Sequence, residues 1–224
     1  MTFAGDDAVE RDSLRLCVAV TEGLDIGGGA SLCSDLEEDA MSWCLDNSFE
    51  HLCCSLNSVD LEELQTFFHD RTARGLTNDI DDTAVRIADA LLNHTWPSLP
   101  LPESNATPLA QSAPDATDDL PIVVFAGFPG VGQRLLFEAV TDASGRETPG
   151  ADLAAQARLD TKYYTATVLC CVIDIPEGGV ASKAEHLLNT AEALILMFDP
   201  ARPETLRCMQ ELQARLQAQE RCYE

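Results

Sequence analysis

Positive charge is what this sequence has least of. Its 224 residues carry 14 Lys and Arg against 38 Asp and Glu, a formal net charge of −24. The acids lie in many small clusters, such as Asp35/Glu37/Glu38/Asp39, Asp60/Glu62/Glu63 and Asp79/Asp81/Asp82, rather than in one tail. Such a surface repels nucleic acid and anionic lipid, so neither is expected as a direct partner, and a protein with basic patches suits it better. Long apolar runs are also missing. None approaches the roughly 18 residues of a membrane span, and no charged segment followed by an apolar one opens the chain, so the expectation is a soluble, cytoplasmic protein. Metal-ligand spacing is absent too: Cys53-Cys54 and Cys170-Cys171 are adjacent pairs inside apolar runs, and His51, His69, His94 and His186 form no ligand set. Buried free thiols are expected there instead of a metal site. No Ser/His/Asp set, Cys/His pair or isolated carboxylate pair marks a catalytic centre.

What is present is an alternation of apolar runs with helical patterns. The runs Leu14–Val20, Phe49–Leu56, Ile122–Ala126, Thr167–Ile173 and Ala193–Phe198 are rich in Val, Ile, Leu and Cys, the character of strands covered on both faces. Between them, Ser34-x-x-Glu37 and Ser182-x-x-Glu185 spell capping boxes. Ala84/Ile87/Ala88/Leu91/Leu92 follows helical spacing, and Pro203 opens a helix carried by Leu206, Met209, Leu212 and Leu216. Leu61, Leu64, Phe67 and Phe68 mark a short amphipathic stretch, more often packed on its own domain than used for docking. Residues 97–119 read as a flexible linker and 142–161 as a weakly patterned loop. The fold class is α/β, a doubly wound and mostly parallel sheet.

The sharpest motif is Gly127-Phe-Pro-Gly130-Val-Gly132-Gln133-Arg134, after a predicted strand and before a predicted helix on Leu135, Leu136, Ala139 and Val140. This is the context and glycine spacing of a phosphate loop. A working loop continues with Lys, which reaches the β and γ phosphates, and Ser or Thr, which holds Mg²⁺. Gln133 carries no charge and Arg134 no oxygen for Mg²⁺, so a glycine turn kept for packing is favoured over nucleotide binding. Only the backbone N–H groups of Gly127, Gly130 and Gly132 and the helix N-terminus remain for a weak anion.

Downstream, Val172-Ile-Asp-Ile-Pro-Glu-Gly178 resembles the GTPase strand that delivers Asp-x-x-Gly, with Asp174 in place but Glu177 where the glycine belongs. The pieces a Ras-like domain needs after the Pro203 helix appear at the front of the chain instead. There, Glu22-Gly-Leu-Asp25 keeps only the Asp of the guanine-reading Asn-Lys-x-Asp, and Cys54-Ser-Leu56 matches Ser-Ala-Lys poorly. The domain therefore reads as circularly permuted: residues 12–96 form the later half, 120–224 the earlier half with the degenerate loop, and the linker 97–119, reaching roughly 25 Å, joins them. The predicted strand order is 167–173, 122–126, 193–198, 14–20, 49–56, all parallel, with an antiparallel edge strand near Lys162–Tyr164.

With its pieces rearranged, the sequence resembles the alpha- and gamma-adaptin-binding protein family. The matching stretches are Leu159–Val172 (LDTKYYTATVLCCV), Ala191–Asp199, Trp43–Glu50 and Val85–Trp96. The resemblance implies a Ras-like domain with degenerate nucleotide motifs that assists assembly of clathrin adaptor complexes in vesicle trafficking; the family's C-terminal helical region finds no counterpart. It implies no catalysis and no cofactor, with a divergent GTP-binding protein or GTPase as the alternative. Candidate partner-binding residues are Lys162, Tyr163 and Tyr164 with Pro176–Gly179, and secondly Leu61, Phe67 and Phe68.

Overall fold

The computed structural model describes residues 13–21, 30–55, 58–69, 83–97, 120–141, 145–148, 150–161, 164–177 and 179–220. In chain order the elements are β1 (Leu14–Thr21), α1 (Ala30–Asp46), β2 (Glu50–Ser55), α2 (Ser58–His69), α3 (Thr83–Asn93), β3 (Ile122–Gly127), α4 (Gln133–Thr141), β4 (Arg146–Thr148), β5 (Ala151–Asp160), β6 (Thr165–Asp174), α5 (Ser182–Thr190), β7 (Ala193–Phe198) and α6 (Pro203–Glu220).

The strands form one seven-stranded sheet in the order β2-β1-β7-β3-β6-β5-β4. The five strands from β2 to β6 are parallel, and β1 lies directly beside β7, with Leu14 opposite Ala193 and Ala19 opposite Phe198. All five apolar runs are strands, in the predicted order. Their near-continuous hydrophobicity follows from burial on both sides: every residue of β7 is buried, as a parallel sheet between helix layers demands.

Side chains alternate across the sheet. Leu16, Val18 and Val20 join α2, α3 and α4 through Leu64, Phe68, Ile87, Leu91, Leu136 and Phe137. Cys17 and Ala19 join α1, α5 and α6 through Ala40, Cys44, Leu188, Met209 and Leu212. Three helices thus cover each face. At the amino end of the sheet Trp96, 1% exposed, anchors the chain after α3. Its indole donates to Leu91 O at 2.9 Å, and its backbone N–H donates to the Tyr164 hydroxyl at 2.7 Å.

Several expectations change. The antiparallel pairings are those of β5, with β4 beside it at the edge, both within the stretch expected to be a loop; β5 pairs with β6 from Leu153 opposite Val172 to Asp160 opposite Thr165, and Lys162 and Tyr163 lie outside the described residues. Thr161 and Tyr164 instead close the β5–β6 turn, through Thr161 N–H to Tyr164 O at 2.9 Å and Tyr164 N–H to Thr161 Oγ1 at 3.0 Å. Neither capping box forms as spelled. α1 begins at Ala30, ahead of Ser34, and α5 has Ala181 at its N-cap with no side-chain cap, Ser182 being already helical. In α4, Leu136, Ala139 and Val140 are buried while Leu135 is exposed. Of the thiols, Cys17, Cys44, Cys54, Cys170 and Cys171 are buried, but Cys53 is exposed because the edge strand β2 alternates in and out. Burial pushes the Cys171 thiol up to about 11 and that of Cys170 higher still. Most of the linker, residues 98–119, lies outside the described residues.

Candidate functional site: the phosphate-shaped loop

The loop begins where β3 runs out of the core. A Cβ on Gly127 would meet Met197 O of β7 at 3.0 Å, so the close approach of two strands requires glycine. Gly130 and Gly132 take φ of 85° and 112°, the region that side chains disfavour. Between them Val131 N–H donates to Phe128 O at 3.2 Å, and Leu136 N–H donates to Gly132 O at 3.1 Å as α4 starts. The glycines thus sit between a strand, β3, and a helix, α4, with two of them at positive φ.

What fills the frame is side chain. Gln133, the first residue of α4, is 1% exposed. Its amide nitrogen points into the loop, donating to Phe128 O at 3.2 Å and, more weakly, to Gly127 O at 3.5 Å. The same nitrogen donates to Asp174 Oδ1 at 2.5 Å. Arg134, beside it, donates from Nη2 to the other oxygen, Asp174 Oδ2, at 3.1 Å. One carboxylate thus accepts from both Gln133 and Arg134. Asp174 ends β6, where the sheet register sets it opposite Gly127, and its own N–H donates to Asp152 Oδ2 at 2.7 Å. The Gln133 amide oxygen is buried without a hydrogen-bond partner among the described residues.

Neighbouring turns close the same rim. The Arg202 guanidinium lies 5.9 Å from the Phe128 ring centroid, and its Nε donates to Asp199 Oδ2 at 2.7 Å. Asp199 N–H is held by Thr205 Oγ1 at 3.0 Å. Glu177 is exposed, and Gly179, with φ of 88°, lies against the Arg215 guanidinium.

The other candidate residues are scattered. Lys162 and Tyr163 lie outside the described residues, as does the guanine-reader segment Glu22–Asp25. Tyr164 is 36% exposed, but its hydroxyl is engaged with the end of α3, accepting from Trp96 N–H and donating to His94 O at 3.3 Å. Leu64 and Phe68 of α2 are buried in the core with Leu61 packed against them, so that stretch packs on its own domain; the Phe67 side chain lies outside the described residues. The turn's role for Tyr164 carried no sequence signal, since its partners are remote in the chain.

Among the described residues no helix is long and apolar enough to cross a membrane, and no cluster of His, Cys, Asp and Glu is arranged to hold a metal ion. No family model, curated protein or solved structure matches the chain.

Proposed function

We propose that this protein is a non-catalytic, Ras-like interaction domain in circularly permuted order, and that its partners are clathrin adaptor subunits whose assembly it assists. The observation that carries the non-catalytic reading is the shared carboxylate. In a GTPase the lysine, the hydroxyl and the downstream Asp all serve the nucleotide and its Mg²⁺. Here Gln133 and Arg134 both end on Asp174, and the Gln133 amide occupies the carbonyl-lined interior of the loop. A triphosphate would have to displace these contacts while gaining neither lysine charge nor a hydroxyl ligand for Mg²⁺.

The permuted reading draws support from the strand order, with β1 beside β7, and from β5, the antiparallel strand that a Ras-like edge calls for next to β6. The adaptor itself rests on the family resemblance. A net charge of −24 favours association with basic surfaces and slows it as salt rises.

The test has two arms. Purified adaptor subunits should bind the immobilised protein, with an on-rate that falls as salt rises. A fluorescent GTP analogue with Mg²⁺ should show no saturable binding at micromolar concentration. Mg²⁺-dependent micromolar binding of the analogue overturns the first part of the proposal and installs a divergent GTP-binding protein in its place. Failure of every adaptor subunit to bind overturns the second. In the interaction arm Tyr164→Phe is preferable to alanine, because it keeps the ring and removes only the hydroxyl that holds Trp96.

A further inference from the structure

The opposite rim of the sheet holds a different kind of feature. Where β1 and β7 begin, on the face covered by α5 and α6, a cavity of about 330 Å³ opens between the two helices. Its floor is Leu194 of β7 and Arg15 of β1, and α6 contributes Gln213, Leu216 and Gln217. Residues 188–190, the last turn of α5, complete the wall with Ala191, Glu192 and Ser13.

Two of these groups lack the partners their chemistry calls for. Gln213 is 3% exposed, faces the cavity, and among the described residues no hydrogen bond engages its amide. Arg15 is half-buried, bonded from Nε to Ser13 Oγ at 3.3 Å and lying 5.9 Å from the Phe49 ring centroid. Among the described residues no carboxylate pairs with it, although Glu192 lines the same cavity; that carboxylate lies 3.6 Å from His94 Nε2 instead. A guanidinium is a fork of donors suited to a carboxylate. The C-terminal turn of α5 supplies acceptors of the kind a helix leaves without an N–H partner within it, although the Thr190 hydroxyl already donates to His186 O at 2.9 Å and to Leu187 O at 3.5 Å and Asn189 is itself engaged. Leu194 and Leu216 add apolar surface.

We propose that this cavity binds an α-carboxylate with a neighbouring N–H donor, as carried by a free amino acid or by the carboxyl terminus of a peptide. The carboxylate lies on the Arg15 guanidinium and the Gln213 amide N–H, the ligand's N–H or ammonium faces the carbonyl end of α5, and an aliphatic side chain rests on Leu194 and Leu216. The site is on the opposite rim from the phosphate-shaped loop and stands whether or not that loop takes nucleotide.

The full chain is titrated calorimetrically with N-acetyl-Ala-Leu bearing a free carboxylate, with the same dipeptide as its C-terminal amide, and with free leucine. The free acid should bind saturably at one site, and the amide at least about tenfold more weakly, the scale of one lost charge-assisted pair. Arg15→Gln should weaken the acid by about tenfold or more and Gln213→Leu by about fivefold, with unchanged thermal unfolding. If Arg15→Gln does not fold, Gln213→Leu together with the shift of the Gln213 side-chain amide resonance in the wild-type protein carries the same decision. Leucine binding as tightly as the dipeptide assigns the site to amino acids; dipeptide binding alone assigns it to peptide termini. Equal binding of acid and amide, no saturable binding of any probe, or an unmoved Gln213 resonance overturns the proposal.

Discussion

The two rims of this sheet were built from the same kind of material and ended differently. At the carboxyl rim, a glycine frame shaped for phosphate is closed by its own side chains: Gln133 fills the loop, Arg134 and Gln133 share Asp174, and Arg202 covers Phe128. At the amino rim, the face carrying α2 to α4 is sealed by Trp96 and Tyr164, while the face carrying α5 and α6 keeps a cavity in which, among the described residues, no hydrogen bond engages the Gln213 amide and no carboxylate pairs with Arg15. A recognisable motif therefore marks the site that its own side chains fill, although the Gln133 amide oxygen has no partner among the described residues, and no motif marks the open cavity. An accessible polar group facing a cavity is a better guide to binding than the outline of a loop, because a ligand can satisfy it without first displacing a contact already made.

The sealed part of the amino rim should be the most sensitive to damage. Trp96→Ala removes a fully buried indole and the bond to Leu91 O, and the loss should be about 3 to 5 kcal/mol in urea unfolding. Tyr164→Phe, which removes only the hydroxyl and leaves Trp96 N–H without that acceptor, should cost about 1 to 2 kcal/mol. Equal effects of the two would mean that the hydrogen bond, not the packing, seals this face.

At the carboxyl rim the shared carboxylate should matter more than either of its donors. Asp174→Ala strips the acceptor from the buried Gln133 amide and from Arg134 together, and should cost about 1 to 3 kcal/mol. In a double-mutant cycle with Gln133→Leu the coupling should reach about 0.5 kcal/mol or more, because the two touch. Strict additivity would separate the loop from β6 and undo the account of a closed site.

How much of this was readable from residue order differs between the rims as well. The five parallel strands followed from apolar runs, since strands buried on both faces leave a near-continuous signal, and their order from permuted connectivity with right-handed crossovers. β5 did not, because three of its four buried positions, Ala151, Ala154 and Ala157, are too small to stand out beside Leu159, and as the strand flanked by β6 and β4 it takes its conformation from pairing. The Ser182 capping box misled for a local reason: the chain enters α5 one residue early, at Ala181. The absence of a lysine and a hydroxyl at Gln133 and Arg134 was legible one residue at a time. Their convergence on Asp174 was not, because only the parallel register of β3 and β6 brings it opposite Gly127. Arg15 and Gln213 come from opposite ends of the chain and form no motif at all.

The α1, α5 and α6 layer should also carry a pH signature. Burial lowers the His51 imidazole below its ordinary value, with Glu37 opposing in part, and its Nε2 is buried without a hydrogen-bond partner among the described residues. The unfolded chain therefore binds the His51 proton at higher pH than the folded one. From about pH 6.5 downward to the folded value, stability falls as pH falls, and above that window the contribution is fully present. The urea midpoint should drop more for the wild type than for His51→Asn between about pH 7.5 and 5.5. A steeper drop in the variant would reverse the sign and the assignment.

The smallest effect belongs to the most conspicuous charge at the loop. Arg134 and Asp174 form an ion pair at 3.1 Å, but their side chains are 55% and 23% exposed. Water screens such a pair, and ordering a long arginine side chain offsets part of the attraction, so Arg134→Gln should cost about 0 to 1 kcal/mol. Even that difference should shrink in roughly 0.5 M salt, where the screening length falls to a few ångströms. Gln133, in contrast, is buried and neutral, and its contribution should hardly change with salt. Measuring Arg134→Gln and Asp174→Ala at low and high salt separates two pictures of the closed loop. If the arginine variant is the more damaging and its deficit vanishes with salt, the loop is held shut by charge, and lysine-like attraction for an anion has survived in Arg134. If its deficit is small at both ionic strengths while Asp174→Ala stays costly, the loop is held shut by the buried amide, and the carboxyl rim has no free cation at this position to offer a phosphate.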